Sequence, residues 1–485
     1  MGSLKKNIGY QTIWQILATC IPLFTSPYIS RVLGADQLGV FSFTSSIVSY
    51  FSLFASLGTI QYGTRSIAVC RTEKRKVSKC FFEIYLFQAF VAVVLTVVYI
   101  LVCAFFFRSE YFLVALIQGF QVFAYCFDVS WLFFGLEKFK NTVVRNIVVK
   151  VISVLSIFAF VRDSSDLWVY TFVIAFGMVG SNLVLWVQVP SVVDISEIKR
   201  VSASEIMRKI KPNLALFLPR IGGSVYHSMD KTLLGVMSSE LQSGYYYNSD
   251  KMISIPMGIF DGFGNVLFPR MSSLFASNQK NRAKDLFDLS CEFFILFSVA
   301  ISIGIAAVSE EFVPLFFGPG FDECIILVHL FAPILVIKSL TVVSRMLYLI
   351  PTHREKLINV SVFGAAFINL IANIVLIPRY GALGAVIGTF LAELSCCVVQ
   401  HYFVLRELRN LRELFYLLVY SVSGVLMYLC VRLFANSCDI NILLKLIGEI
   451  IIGCLSYVFL CCCVWKIQGR NVKGTLLKLV RLKDE

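Results

Sequence analysis

The chain has little charge and no long polar stretch. Only 15% of its 485 residues are Asp, Glu, Lys or Arg, while 58% are apolar, and the mean hydropathy is +0.79. A soluble domain carries roughly a quarter charged residues. There are four histidines, His227, His329, His353 and His401, and no HExxH or similar cluster among them. No acid pair, Gly-rich phosphate loop or nucleophile–base spacing stands out, so soluble catalysis has no visible machinery. The fifteen cysteines form no framework. Most, such as Cys20, Cys103, Cys126, Cys396, Cys397, Cys430 and Cys454, lie in apolar runs, where they act as small hydrophobes. The run Cys461, Cys462, Cys463 lacks CxxC spacing and a nearby histidine, which speaks against metal or redox use. No cofactor is implied. No A-x-A site follows the first apolar stretch, which is longer than a signal h-region and is preceded by Lys5 and Lys6. The first helix is therefore expected to be retained.

Apolar, helix-length segments fill nearly all of the chain. A bilayer core of about 30 Å needs about 20 apolar residues per helix. Windows of that length predict spans near 9–33, 38–62, 80–107, 111–136, 142–161, 167–189, 212–237, 242–268, 288–308, 323–350, 357–377, 381–405, 413–435 and 441–465. Backbone groups in lipid must be satisfied internally, and no barrel-like alternation appears, so the spans are helices. The fold class is an all-α integral membrane protein of about fourteen transmembrane helices.

Net charge is +13, and its distribution matters more than its total. Both termini and the even-numbered connections hold 30 of the 43 basic residues, among them Arg71, Lys74, Arg75, Lys76 and Lys79. The odd connections hold six: Arg31, Arg108, Arg162, Arg379, Arg432 and Lys445. The positive-inside rule then places both termini in the cytoplasm, which requires an even helix count. The basic excess is a topology signal and a contact for anionic membrane lipids, not a nucleic-acid surface.

The two halves echo each other. Leu33-Gly34 and Leu234-Gly235 close the first and seventh spans, and Gly39 and Gly244 each stand two residues before an aromatic, Phe41 and Tyr246. Gly58 with Arg65 and Gly264 with Arg270 mark the ends of spans two and eight. Such an echo predicts two six-helix bundles, 1–189 and 212–405, joined by a cytoplasmic linker, 190–211, with two further helices and a basic tail in 406–485. Gly258 and Gly262, and Gly384 and Gly388, are small-xxx-small pairs expected to allow close helix approach. Pro22, Pro27, Pro219 and Pro256 are expected to interrupt spans one, seven and eight.

Fifteen charged residues fall inside the predicted spans, where each needs a partner or an aqueous cavity. Glu83, Arg145, Asp250, Lys251, Glu292, Arg345 and Glu449 lie near span ends and are expected to snorkel. Lys150 and Glu393 complete the set with the deeper candidates. Arg220 stands about two turns into the seventh span, directly after Pro219, and cannot shed its proton. Asp230-Lys231 lies on the same span, Asp128 deep in the fourth, Asp261 deep in the eighth and Lys338 mid-way along the tenth. The three acids are candidates for ion pairing or for carrying a coupling ion. The first span has no carboxylate, which a cation exporter would need. A path lined by Arg31, Arg220, Lys231 and Lys338 suits an anionic cargo such as a pyrophosphate, which guanidinium binds bidentately.

Several motifs carry a resemblance. Pro27-Tyr28-Ile29-Ser30-Arg31-Val32-Leu33-Gly34, Leu38-Gly39-Val40-Phe41 and Leu57-Gly58-Thr59-Ile60-Gln61-Tyr62-Gly63-Thr64-Arg65 stand in the first half. Asp230-Lys231-Thr232-Leu233-Leu234-Gly235, Gly244-Tyr245-Tyr246 and Pro269-Arg270-Met271 follow in the second. Together they resemble the bacterial oligosaccharide flippases for O-antigen and capsule. Those flippases form the polysaccharide transport branch of the multidrug/oligosaccharidyl-lipid/polysaccharide exporter superfamily. The resemblance implies two bundles in a V shape and a cargo of undecaprenyl-diphosphate-linked repeat units. The cargo would pass from the inner to the outer leaflet of a bacterial cytoplasmic membrane, beside a polysaccharide polymerase and glycosyltransferases. It also implies that Arg31, Arg65, Arg220, Asp230, Lys231 and Arg270 are cavity or gate residues. A lipid II flippase or a drug exporter of the same superfamily is the nearest alternative. A membrane glycosyltransferase or polymerase is disfavoured by the outer loops, the longest of which, near 309–322, is about 14 residues.

Overall fold

A computed structural model describes residues 2–107, 109–408, 412–438 and 440–469. The side chains of residues 2–16, 215–216, 218–225 and 227 lie outside what it describes. Arg220, Arg108, Arg409 and most of the basic residues expected at the two termini therefore fall outside the described set.

The described residues form fifteen α-helices. In the first half they are α1 (Gly2–Ser56), α2 (Thr59–Cys70), α3 (Lys74–Phe106), α4 (Ser109–Phe123), α5 (Ser130–Gly135), α6 (Phe139–Phe160), α7 (Leu167–Trp186) and α8 (Val189–Val192). They continue as α9 (Ala203–Met237), α10 (Glu240–Ala276), α11 (Lys280–Phe317), α12 (Glu323–Ser344), α13 (Glu355–Leu408), α14 (Arg412–Ser437) and α15 (Ile442–Ile467). Among the described residues, ten segments are long and apolar enough to cross a membrane. Two of the ten, Leu17–Cys70 and Glu355–Leu408, are 54 residues long. Each is broken by a glycine: Gly34 (φ 76°, ψ 172°) inside α1 and Gly381 (φ 54°, ψ −130°) inside α13. Those conformations exclude a Cβ. The breaks thus differ from the expectation at the prolines, since α1 runs unbroken through Pro22 and Pro27 and α10 through Pro256. Pro22, Pro27 and Pro256 lie inside continuous helices. α9 and α10 are not among the ten candidates; α10 carries Asp250, Lys251, Asp261 and Arg270.

Contacts divide the chain into two compact units, residues 1–244 and 245–485. In the first, Leu57 (φ 38°) and Gly58 (φ 71°) end α1 and turn the chain into α2. Trp131, fully buried, anchors one core: its Nε1 donates to Gln88 Oε1 at 3.0 Å, and its ring fills the space where Gly63 would carry a Cβ. Val48, Ala55, Tyr99, Cys103 and Val122 form a second core between α1, α3 and α4. The opposite stripe of α3, with Val93, Val97, Leu101 and Phe105, is exposed, as a lipid-facing surface must be.

The second unit packs α14 and α15 onto α11. Ile295, Val299, Tyr420, Met427, Val431, Tyr457 and Trp465 share one core. Tyr457 donates to the Leu296 carbonyl at 2.9 Å and Trp465 Nε1 to Tyr420 Oη at 3.0 Å. Past Gly381, the second arm of α13 folds against the first: a Cβ on Gly384 would stand 2.6 Å from Leu376 C, and one on Gly388 2.4 Å from Asn373 Oδ1. The expected close approach at that pair is therefore seen. At Gly262 it is not, because no atom lies within 4 Å of an added Cβ.

Candidate functional site

The intramembrane charges sort by unit. In the first unit, the predicted fourth span is not continuous: a 3-10 turn at Ala124–Phe127 separates α4 from α5. Asp128 sits at that break, where its Oδ1 accepts the Ser130 N–H at 2.9 Å. Asp and Asn favour such sites because a short side-chain oxygen satisfies an orphan helix donor. Arg145 on α6 does not snorkel. It is buried and donates to Asn146 Oδ1 at 2.6 Å and to the Ser181 carbonyl at 3.1 Å, with Asp128 within electrostatic reach. Glu83 is also buried and pairs with Lys209 on α9 at 3.0 Å. The snorkelling expectation fails at both because partners from distant helices replace water.

Arg31 is exposed on α1, three residues before the Gly34 break, and Arg65 is exposed on α2. Asp230 is buried on α9, within electrostatic reach of Tyr50, and Lys231 beside it is half-buried. A feature the sequence did not reveal lies here. Ser46 Oγ is 2.8 Å from Thr232 Oγ1, Tyr50 Oη is 3.0 Å from the same atom, and Ser49 donates to Ser228 Oγ at 2.7 Å. These hydroxyls form a polar ladder between α1 and α9. Serines at positions 46 and 49 fit a helix-face spacing, but their partners lie some 180 residues away.

A cavity of about 350 Å³ opens between α1, α6 and α7. Thr25, Asn146, Lys150, Ser153 and Ser181 give it polar atoms; Ile29, Val149, Val154 and Ile157 give it apolar walls.

In the second unit the structure brings two of the expected residues together. Asp261 on α10 lies within electrostatic reach of Lys338 on α12 and of Arg345 just beyond it. Lys338 Nζ stands 3.2 Å from Glu393 Oε1 on α13. Two acids and two bases thus share one region, where a low dielectric strengthens each attraction. Arg270 is half-buried on α10 after Pro269. Close by in sequence, Ser344 Oγ is 2.8 Å from His401 Nδ1, and His401 Nε2 is 2.9 Å from Glu413 Oε2. All three are buried, joining α12, α13 and α14. Glu292 is buried too and accepts from Tyr420 Oη at 2.8 Å. Glu449 is fully buried against Glu311, near Lys445 and Arg432. Neither glutamate snorkels. Among the described residues, no group of three His, Cys, Asp or Glu side chains is placed to hold a metal ion.

An ion pair and a capping box close the start of α9. Ser202 and Glu205 form a capping box, and Lys79 Nζ lies 2.6 Å from Glu205 Oε1. The Lys79 ammonium, with the Ser202 N–H, holds the Glu205 carboxyl down at about 2.

Comparison with known proteins adds to this geometry. Residues 4–275 match the family described as polysaccharide biosynthesis protein. A protein of Escherichia coli (strain K12) named for O-antigen transport is 25% identical over 403 residues, covering 81% of this chain and 94% of that protein. A protein of Haloferax volcanii named as the low-salt glycan biosynthesis flippase Agl15 is 22% identical over 262 residues, covering 54% of this chain and 55% of that protein. Among solved structures, the lipid II flippase MurJ in an inward closed conformation is similar with a TM-score of 0.67 at 13% identity, covering 93% of this chain and all of that one. An inward-facing multidrug transporter of the MATE family is similar with a TM-score of 0.58 at 12% identity, covering 81% of this chain and 99% of that one.

Proposed function

The chain belongs to the polysaccharide biosynthesis protein family, and from that premise we propose that it is a flippase. Its cargo is an oligosaccharide repeat unit linked through a diphosphate to undecaprenol. It turns that cargo from the inner to the outer leaflet of a bacterial cytoplasmic membrane, where a polymerase can use it. The observation that carries this reading is the family match, which spans more than half of the chain. The naming of its relatives for O-antigen transport and glycan flipping supports the same cargo class. The likeness to both a lipid II flippase and a multidrug transporter speaks to the fold alone and does not choose between cargoes.

The physical problem is to move a diphosphate through a low dielectric, which is prohibitive unless fixed positive charge replaces water. Arg31, Arg65, Arg220, Lys231 and Arg270 are the cationic path in this reading. Lys338 contributes through its pair with Glu393, and Asp128, Asp230 and Asp261 balance the charge. Fourteen crossings follow if each 54-residue segment counts as two at its glycine break and α9 and α10 are added. Both termini then lie on the same side, the cytoplasmic one by the positive-inside rule. The bundles are 1–189 and 212–405, with the last two helices outside them.

Cells lacking the chain test the reading. They should lose surface polysaccharide and accumulate lipid-linked repeat units on the cytoplasmic leaflet. Unchanged surface polysaccharide would remove it.

A further inference from the structure

Lys150 is the twelfth of the 22 residues of α6. At 1.5 Å per residue it stands about 15 Å from either helix end, near the middle of a core about 30 Å thick. Its four-carbon stem cannot carry the ammonium to either interface. It is exposed on the helix surface, and among the described residues no carboxylate forms an ion pair with it. A lysine at this depth marks a pathway or a ligand.

The surroundings say which ligand. Lys150 lines the cavity of about 350 Å³ between α1, α6 and α7, within the roughly 300–1,000 Å³ of small-molecule sites. Asn146, Ser153 and Ser181 line the same cavity and can hydrogen-bond an oxyanion. Arg145, one residue from Asn146, adds a second fixed positive charge. Alongside, Val148, Ile152 and Leu155 present an exposed apolar face of α6. A polar cationic groove beside an apolar strip fits a molecule with an anionic head and a hydrocarbon tail. A resident phospholipid keeps its headgroup at the interface, about 15 Å away. Only a lipid crossing between leaflets brings a phosphate to this depth.

We propose that this groove is a mid-membrane binding site for the diphosphate of a polyprenyl lipid in transit, with the Lys150 ammonium as its charged contact. The proposal rests on the flippase reading and adds a site to it. The tail lies along the Val148–Leu155 face, and the diphosphate supplies the counter-charge at Lys150.

The test uses the purified full chain and undecaprenyl diphosphate without sugar as the probe. Lys150→Gln should weaken its binding at least tenfold, because a charge-assisted hydrogen bond is lost, about one to two decades in affinity. Lys150→Arg, which keeps the charge, should stay close to wild type. Unchanged binding by Lys150→Gln overturns the proposal. A photo-crosslinking residue placed at Met178, in the groove wall, gives a reading that does not depend on removing the lysine. It should capture the probe, while one at the lipid-facing Leu183 should not. Equal capture at both positions overturns the site. Displacement of the probe by an equal amount of phosphatidylglycerol would show a general anionic-lipid site and overturn the assignment. The two readings fail separately. If cells lacking the chain keep their polysaccharide while the binding results hold, the flippase reading is wrong and the site stands. If those cells lose it while Lys150→Gln binds normally, the flippase stands and the site falls.

Discussion

Gly39 lies so close to Glu240 that a Cβ on the glycine would stand 1.7 Å from the Glu240 carbonyl oxygen. The reverse contact is also present: a Cβ on Gly244 would stand 1.9 Å from the carbonyl oxygen of Ala35. Gly39 and Gly244 are 205 residues apart, as are Ala35 and Glu240. Both contacts set a glycine against a backbone carbonyl, and both lie within the first unit, where α1 crosses the start of α10.

Neither glycine should tolerate a side chain. Gly39→Ala and Gly244→Ala should each destabilise the protein by about 1–3 kcal/mol, the usual cost of overpacking. Gly180→Ala is the control, since no atom lies within 4 Å of its Cβ. It should stabilise slightly, by up to about 1 kcal/mol, as alanine does over glycine inside a helix. Thermal unfolding of the detergent-purified variants reads all three. A neutral Gly39→Ala would show that the crossing is looser than described.

Lys338 and Glu393 are mostly buried, at 20% and 11% side-chain exposure. Removing one partner of such a pair should cost about 3–5 kcal/mol, because the other charge is left unpaired. Lys338→Ala should therefore lower the melting temperature and transport together. The double exchange Lys338→Glu with Glu393→Lys separates structure from cargo contact. Restored stability with restored transport makes the pair structural. Restored stability without transport makes Lys338 a contact for the anion.

Topology is open to cysteine labelling in a cysteine-free background. Ser164 and Ser437 are exposed in connections that carry few basic residues, so cysteines there should react with an impermeant reagent from outside intact cells. Ser78 cannot serve as the inside reporter, because it is fully buried and its Oγ accepts the Asp194 N–H. Asn281, exposed beside Lys280 and Arg282, is the suitable one and should stay unlabelled until the cells are opened. Labelling at Asn281 with protection at Ser164 would invert the orientation.

Much of the helical frame was legible because a membrane span announces itself within about 20 residues. The predicted fifth and sixth spans, near 142–161 and 167–189, lie almost on α6 and α7. The breaks were harder to read. Pro22 and Pro27 are strong local signals, yet the chain bends at Gly34, where a residue without a Cβ permits φ of 76°. The charged residues were least legible. Glu83, Glu292 and Lys338 owe their burial to Lys209, Tyr420 and Glu393, which lie 126, 128 and 55 residues away. A single sequence shows the cost of burying each charge but not the partner that offsets it. The same holds for Ser344, His401 and Glu413, which meet only once α12, α13 and α14 are packed.

Reconstitution tests the central claim most directly. The purified chain is placed in sealed vesicles whose two leaflets both contain an undecaprenyl-diphosphate-linked oligosaccharide. A membrane-impermeant glycosidase is then added outside. Without the chain only the outer-leaflet half of the sugar should be cleaved. With it, cleavage should run to near completion, and Arg220→Glu, which reverses a charge in the cationic path, should return it to the half value while Arg220→Lys retains partial transport. Cleavage that stops at the outer-leaflet half with the intact wild-type chain would contradict the account.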